Sequence, residues 1–123
     1  MSKIVQTSDK EVCLVGGNDY MPSLLAYEYD VAYTCLMIDL SSGIITVKAE
    51  MRKGRYHHGV VNIGNFVYAV AGCNRFGDVR TCERFDISMN TWTNISEFDE
   101  FPVGVSVLVS AKRYLMAFGG MKD

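Results

Sequence analysis

The stretch Phe66-Val67-Tyr68-Ala69-Val70-Ala71-Gly72 decides the fold, because it is an apolar run that ends at glycine and recurs in the chain. Its two counterparts are Glu11-Val12-Cys13-Leu14-Val15-Gly16-Gly17 and Tyr114-Leu115-Met116-Ala117-Phe118-Gly119-Gly120. Their last glycines are 55 and 48 positions apart. A period of roughly 50 residues predicts a repeat architecture of stacked units.

A second pair of segments confirms the repeat and places a hairpin in each unit. Cys35–Ser41 aligns with Cys82–Ser88 at an ungapped offset of 47. At the end of each segment, Ser41-Ser42-Gly43 and Ser88-Met89-Asn90 occupy the same place between two strand-like runs. Ser, Asn and Gly are typical of tight hairpins because they provide local hydrogen bonds and tolerate unusual φ angles.

Each full unit is predicted to contain four strands, so the fold class is all-β. The predicted strands of the first unit are Ile4–Ser8, Glu11–Gly17, Thr34–Leu40 and Ile44–Ala49. Those of the second are Gly59–Gly64, Phe66–Gly72, Thr81–Ile87 and Thr91–Ser96. The third unit has two strands only. The first two strands of a unit are nearly all apolar and the outer two are mixed, which is typical of blades arranged around an axis.

The second unit resembles the kelch repeat, which has in fixed order a Met, an Arg four positions on, a His or small residue followed by Gly, a strand ending in Gly-Gly, an aromatic residue and a Trp. The matching residues are Met51, Arg55, His58, Gly59, Ala71, Gly72, Phe85, Asp86 and Trp92. Gly16-Gly17 and Gly119-Gly120 take the place of the glycine pair in the other units. The resemblance implies a single partial kelch-type β-propeller over residues 1–123, with blades at about 3–50 and 55–98 and half a blade at about 103–120.

Departures from the kelch pattern lead to three expectations. Ala71 stands in place of the first glycine of the pair, which a small side chain tolerates if its φ stays negative. Ile45 stands in place of Trp92 and is expected to fill the gap between blades with a smaller apolar side chain. Phe101–Gly104 replaces the Arg-containing approach to the third unit. Phe85 and Trp92 are predicted to be packing residues.

Two and a half blades cannot close a propeller, so the open sheet faces need a cover. The candidates are the remaining blades of a parent chain, a second copy, or a large assembly. The sequence favours a fragment of a longer propeller chain.

The long loop of the first unit is one candidate binding surface. Asn18–Tyr33 is 8 residues longer than Cys73–Arg80 and contains Tyr20, Tyr27 and Tyr29. Tyrosine is frequent at binding surfaces because it combines a large contact area with a polar tip. The alternative is that Met21–Ala26 folds back to cover an open edge of the sheet.

A second candidate surface combines two loops that open on the same face of a propeller. The candidate partner-binding residues there are Arg55, Tyr56, His57, Arg75, Phe76 and Asp78. Similarity to kelch-like adaptors of ubiquitin ligases implies that Tyr56 and His57, just after the Arg, help to hold acidic peptides. In a second interpretation, Arg55 and His58 bind backbone between blades. The binding hypothesis predicts that Arg55, Tyr56 and Arg75 share one mouth.

Composition argues against several other partners. The chain has a net charge of −2 and no long Lys/Arg stripe, so nucleic acid is not expected. It has no apolar stretch of ~20 residues and begins with a polar segment, so no membrane is expected and a cytoplasmic location is predicted. The four cysteines form no C-x-x-C pair and are interpreted as core residues.

The sequence predicts a protein–protein interaction module that presents loops to a peptide or partner domain, and no cofactor. The alternative is a structural subunit of a larger assembly. A kelch enzyme of the galactose-oxidase type, using copper, is a remote alternative, and no catalytic residues are assigned. No metal site is predicted, because His57 and His58 point to opposite faces of a strand.

Overall fold

The computed structural model describes residues 3–17, 33–56, 58–74, 76–97, 103–110 and 114–121, with side chains up to residue 95. All strand pairs in these ranges are antiparallel. Within them, no helix is long and apolar enough to cross a membrane.

The first sheet has four strands in chain order, β1 Lys3–Ser8, β2 Glu11–Val15, β3 Cys35–Asp39 and β4 Ile45–Val47. The β3–β4 hairpin forms where the Ser-Ser-Gly signal predicts it. Asp39 Oδ1 accepts the backbone N–H of Ser41 at 2.8 Å and of Ser42 at 3.1 Å, and Gly43 has a φ of 74°. A left-handed φ of this size favours glycine, so the local sequence determines this turn.

The second sheet repeats the same plan. Its strands, in spatial order, are β5 Gly59–Ile63, β6 Phe66–Val70, β9 Thr81–Asp86 and β10 Thr91–Glu97. Asp86 Oδ1 accepts the Met89 N–H at 3.0 Å in the β9–β10 hairpin. A small hairpin that the sequence did not predict, β7 Cys73–Asn74 and β8 Gly77–Asp78, lies between β6 and β9. The final pair is β11 Val103–Ser110 with β12 Tyr114–Met121, which includes Gly119 and Gly120.

The sheets are arranged as successive blades, with their first strands side by side. Both β1 and β11 lie against β5. Buried side chains from the facing sides of the first two sheets form one core. The first sheet contributes Cys13, Val15, Cys35 and Met37, and the second contributes Val67, Ala69, Phe85 and Trp92. The all-β prediction and the partial, open propeller are therefore confirmed.

Trp92 ties the two full blades together. The centroid of its ring lies 5.1 Å from the centroid of the Phe85 ring. Its Nε1 donates a hydrogen bond to the Ala49 carbonyl oxygen at 2.8 Å. The Ala49 N–H donates to Asn90 Oδ1, also at 2.8 Å. The hairpin of the second blade therefore binds the N–H and the carbonyl of Ala49 at the end of the first blade. The rings of Phe85 and Trp92 fill the space between the two blades.

The expectation for Ile45 was wrong. Its side chain is 58% exposed, although Ile45 occupies the Trp92 position of its own repeat. Trp92 fills a gap because its side of the sheet faces the first blade. The matching side of the first sheet faces away from the second, and no other described sheet covers it.

The condition placed on Ala71 was also wrong, because its φ is 59° rather than negative. The equivalent Gly16 has a φ of 65°. Both Ala71 backbone groups are engaged: its N–H donates to Thr81 O at 3.2 Å, and its carbonyl accepts from Arg55 Nη1 at 3.1 Å. These contacts hold the left-handed conformation, which costs an L-residue about 1–2 kcal/mol.

Replacing Trp92 tests this account of the core. Trp92→Ala should lower the free energy of unfolding by about 3–5 kcal/mol, because it leaves a cavity beside Phe85. Trp92→Phe keeps a ring and loses the bond to Ala49, so it should cost only about 1–2 kcal/mol. Urea denaturation measures both. Equal losses for the two variants would contradict the packing role.

Candidate functional site

The buried carboxylate of Glu83 organises the connection between the two full blades. Its Oε1 accepts the Arg52 N–H at 2.7 Å, and its Oε2 accepts the Lys53 N–H at 3.0 Å. Arg55 Nη2 donates to the same Oε2 at 2.6 Å, and both ionic side chains are fully buried. One side chain on β9 therefore holds the backbone and the cation of the segment that joins β4 to β5.

The side chain of Arg55 is buried and holds the backbone of the second blade. Its Nη1 donates to the carbonyl oxygens of Ala71 and Thr81, at 3.1 and 2.7 Å. Burial lowers the pKa of Arg55 from its ordinary value, and the charge of Glu83 opposes that shift. A guanidinium with these partners and no exposed surface cannot contact a ligand, so the second interpretation of Arg55 fits the structure.

His58 joins the same connection to the first sheet. Its Nε2 lies 3.1 Å from the Val15 carbonyl oxygen, so this nitrogen carries the proton and donates. Burial, with a further contribution from the Arg55 charge, lowers the pKa of His58 to about 3. His58 is therefore a neutral, fully buried residue at physiological pH.

The glycine turns are needed because the connection passes directly against them. A Cβ on Gly16 would lie 2.6 Å from the Arg55 carbonyl oxygen, and one on Gly72 would lie 2.6 Å from the Tyr56 carbonyl oxygen. The Gly17 N–H donates to the Arg55 carbonyl at 3.2 Å. The repeated glycines thus allow two backbones to meet where Met51–His58 crosses the blades.

The β7–β8 hairpin forms the other wall of the site. Asn74 Nδ2 donates to the Gly54 carbonyl at 2.9 Å, while its Oδ1 accepts the Phe76 N–H at 2.9 Å. The backbone groups of Tyr56 and Cys73 exchange two hydrogen bonds of 2.9 Å. The hairpin and the connection are consequently fixed to each other, and Phe76 projects from the turn with 79% of its surface exposed.

Between these walls lies a cleft of about 280 Å³. Its lining residues are Tyr33, Lys53, Asn74, Phe76, Asp78 and Val79. Val79 is buried, whereas Lys53 and Asp78 are exposed. The cleft therefore combines an apolar floor and an exposed aromatic ring with one cation and one anion.

The predicted binding residues are placed differently from one another. Phe76 and Asp78 line the cleft. Tyr56 is half-buried and pairs by its backbone with Cys73, and Arg55 is buried. His57, Arg75, Tyr20, Tyr27 and Tyr29 lie outside the described residues, as does Met21–Ala26. The shared mouth of Arg55, Tyr56 and Arg75 thus stays a prediction for Tyr56 and Arg75 and does not fit Arg55.

Sequence reasoning missed Lys53 and Tyr33 as lining residues. Lys53 precedes the kelch Arg by two positions, and Tyr33 was counted only as part of the long loop. The Met51 N–H donates to the Tyr33 carbonyl at 2.9 Å, so the end of that loop is held beside the connection. The alignment of the repeats was a usable signal, because it places both segments on one face.

Comparison with known proteins agrees with this architecture. Residues 54–98 match the family model of the kelch motif. The chain is 36% identical to Kelch-like protein 13 of Homo sapiens over 77 residues, which are 58% of this chain and 12% of the relative. It is 31% identical to Kelch-like protein 35 of Mus musculus over 75 residues, which are 61% of this chain and 13% of the relative. The chain thus matches about an eighth of the length of these relatives.

The antiparallel blades, the Arg55–Glu83 connection and the kelch motif together define a partial kelch-type β-propeller. Residues 54–98 form a kelch repeat, and the chain is similar to kelch-like proteins over 75 to 77 residues.

Glu83→Gln tests the anchor of the connection. The amide leaves Arg55 as a buried, unpaired cation and replaces one acceptor oxygen by a donor, so unfolding free energy should fall by about 3–5 kcal/mol. Glu11→Gln, a matched change on β2, should alter it by less than about 0.5 kcal/mol. Thermal and urea unfolding provide the measurement. A similar small effect for both variants would show that the ion pair does not anchor the segment.

The depressed pKa of His58 predicts a pH-dependent stability. The unfolded chain takes up a proton at His58 as the pH falls below 6.5, whereas the folded chain does so only near pH 3. The unfolded state binds more protons between these values, so stability falls with pH, by about 2 kcal/mol from this group at pH 5. His58→Gln should lose less stability between pH 7 and pH 5. Identical slopes for the two proteins would contradict the assignment.

Proposed function

We propose that this chain is a protein-interaction module that binds an extended peptide segment of a partner in the cleft between the Met51–His58 connection and the β7–β8 hairpin. The observation that carries the proposal is Phe76, a 79% exposed aromatic side chain on a backbone fixed by Asn74. An exposed aromatic ring on a rigid turn provides contact area at little cost in side-chain entropy.

The size of the cleft favours a peptide over a small-molecule substrate. Its volume of about 280 Å³ fits one or two side chains, and small-molecule sites are commonly larger and mainly apolar. Val79 supplies an apolar floor, while Lys53 and Asp78 offer opposite charges at the surface. This arrangement suits a peptide that places one apolar side chain inward and polar groups at the rim.

We propose binding rather than catalysis. The described residues of the cleft include Tyr33, Lys53 and Asp78 as proton carriers but no Ser, Thr, Cys or His. The similar proteins are called kelch-like, and we extend to this chain only the coarse property of a kelch-repeat interaction surface. We further propose that residues 1–123 act as one unit, with blades at about 3–50 and 55–98. Its partner is a protein, and the cytoplasmic location remains a prediction.

Selection of peptides on the full chain tests the proposal. A phage library of random linear peptides is panned on the protein, and fluorescence anisotropy then gives the Kd of the enriched peptides. Phe76→Ala should weaken binding about tenfold or more, because it removes the central aromatic contact. Lys53→Glu should weaken the binding of those peptides that carry acidic residues.

Met89→Ala is the matched control, since Met89 is 70% exposed and lies outside the cleft. It should leave the Kd unchanged. Failure to enrich any peptide, or enriched peptides that bind Phe76→Ala as well as the natural chain, would overturn the proposal.

A further inference from the structure

A close pair of sulfur atoms lies on the side of the first sheet that faces the second blade. The Sγ atoms of Cys13 and Cys35 are 3.8 Å apart and share a hydrogen bond in which one thiol donates to the other. Both side chains are fully buried, at 0% and 1% exposure. Neither residue lines the cleft, so the peptide site does not account for this pair.

Met37 adds a third sulfur to the same side of the sheet. It pairs directly with Cys13 across β2 and β3, and it follows Cys35 by two positions, so the three side chains point to one side. Met37 is 4% exposed and belongs to the same buried core. Two thiols and a thioether are therefore neighbours in an apolar environment that excludes water.

The second blade shows that the fold does not require this group of sulfurs. The three equivalent positions of its sheet hold, in chain order, Tyr68, Cys82 and Arg84. Only Cys82 among them carries sulfur, and the strands pair in the same register as in the first blade. A blade of this kind forms with one sulfur at these positions, so the three sulfurs are a property of the first blade alone among the two full blades.

A disulfide bond does not fit the strand pairing. Cys13 pairs with Met37 and Cys35 pairs with Val15, so the two cysteines lie on a diagonal of the ladder. Cα atoms on such a diagonal are about 7–8 Å apart, whereas a disulfide usually needs about 4.4–6.8 Å. An ion between the sulfurs fits better. At a metal–thiolate length of about 2.3 Å, sulfurs 3.8 Å apart subtend roughly 110° at the metal.

We propose that Cys13, Cys35 and Met37 bind one Cu(I) ion through two thiolates and a thioether. Soft sulfur ligands select Cu(I) among the common metal ions. Structural Zn²⁺ sites instead take four ligands, and no three His, Cys, Asp or Glu side chains lie together within the described residues. A monovalent ion with few ligands matches the set that the first blade provides.

Binding exchanges the thiol protons for the ion. Each thiol loses its proton when it becomes a thiolate ligand, so two protons leave for each Cu(I) and the complex carries one negative charge. The hydrogen bond with Cys13, together with burial, raises the pKa of Cys35, so the thiols keep their protons without metal. The positive charge of Lys48 favours the thiolate of Cys35 and offsets part of this negative charge. The affinity for Cu(I) should therefore rise with pH.

Titration of the full, reduced chain with Cu(I) under nitrogen tests the site. The ion is supplied as its acetonitrile complex, and competition with the chelator bicinchoninate gives the Kd. One ion should bind per chain, and X-ray absorption should show three sulfur ligands. Cys35→Ala removes a thiolate and should abolish this binding. Met37→Leu keeps the side-chain volume and should leave two sulfur ligands. It should raise the Kd at least about tenfold, since even outer partners of a ligand have effects of that size.

Cys73→Ser combined with Cys82→Ser is the matched control, because it removes the other two thiols of the chain and keeps the group of three sulfurs. It should bind Cu(I) as the natural chain does. Circular dichroism confirms the fold of each variant, and Met37→Leu decides the test if Cys35→Ala does not fold. Absence of binding, oxygen or nitrogen ligands at the metal, unchanged binding by Cys35→Ala or Met37→Leu, or loss of binding in the control would overturn the proposal.

Discussion

The contact on which the rest of the structure depends is the buried carboxylate of Glu83. It accepts hydrogen bonds from two backbone N–H groups and one guanidinium of the segment that joins the two full blades. A buried charge is tolerated only when it is fully paired, so the carboxylate fixes the path of the Arg52–Arg55 backbone. That path passes against the repeated glycines and carries Lys53 to the surface. The cleft is thus formed by a segment whose conformation is set in the core.

The two blades share their strand order and the hydrogen bonds of their hairpins, but the same side of each blade has a different environment. In the second blade, Glu83 and Trp92 face the first blade and bind its connection and its backbone. In the first, the half-buried Leu36 and the exposed Ile45 occupy those positions. Because the anchors are absent, the same structural side of a blade changes from an internal joint into an exposed aliphatic surface. This difference gives the first sheet an exposed aliphatic side that the second sheet lacks.

Several elements could be predicted from local sequence because their causes are local. The hairpin turns follow from Asp39 with Gly43 and from Asp86 with Asn90, where a side chain caps nearby N–H groups and the turn takes a positive φ. The outcome for Ala71 shows the limit of this reasoning. Its φ is positive because Thr81 and Arg55 bind its backbone groups, and these partners lie ten and sixteen positions away.

By itself the sequence determined the kelch repeat, the antiparallel strands and the packing of Phe85 and Trp92, since periodicity and apolar content act along the chain. Only the tertiary structure decided that Arg55 is buried, that Lys53 and Tyr33 line the cleft beside Phe76, and that Ile45 is exposed. The physical reason is that burial is a property of neighbours. The type and spacing of a residue indicate whether its side chain could be buried. The positions of the neighbouring blades decide whether it is buried.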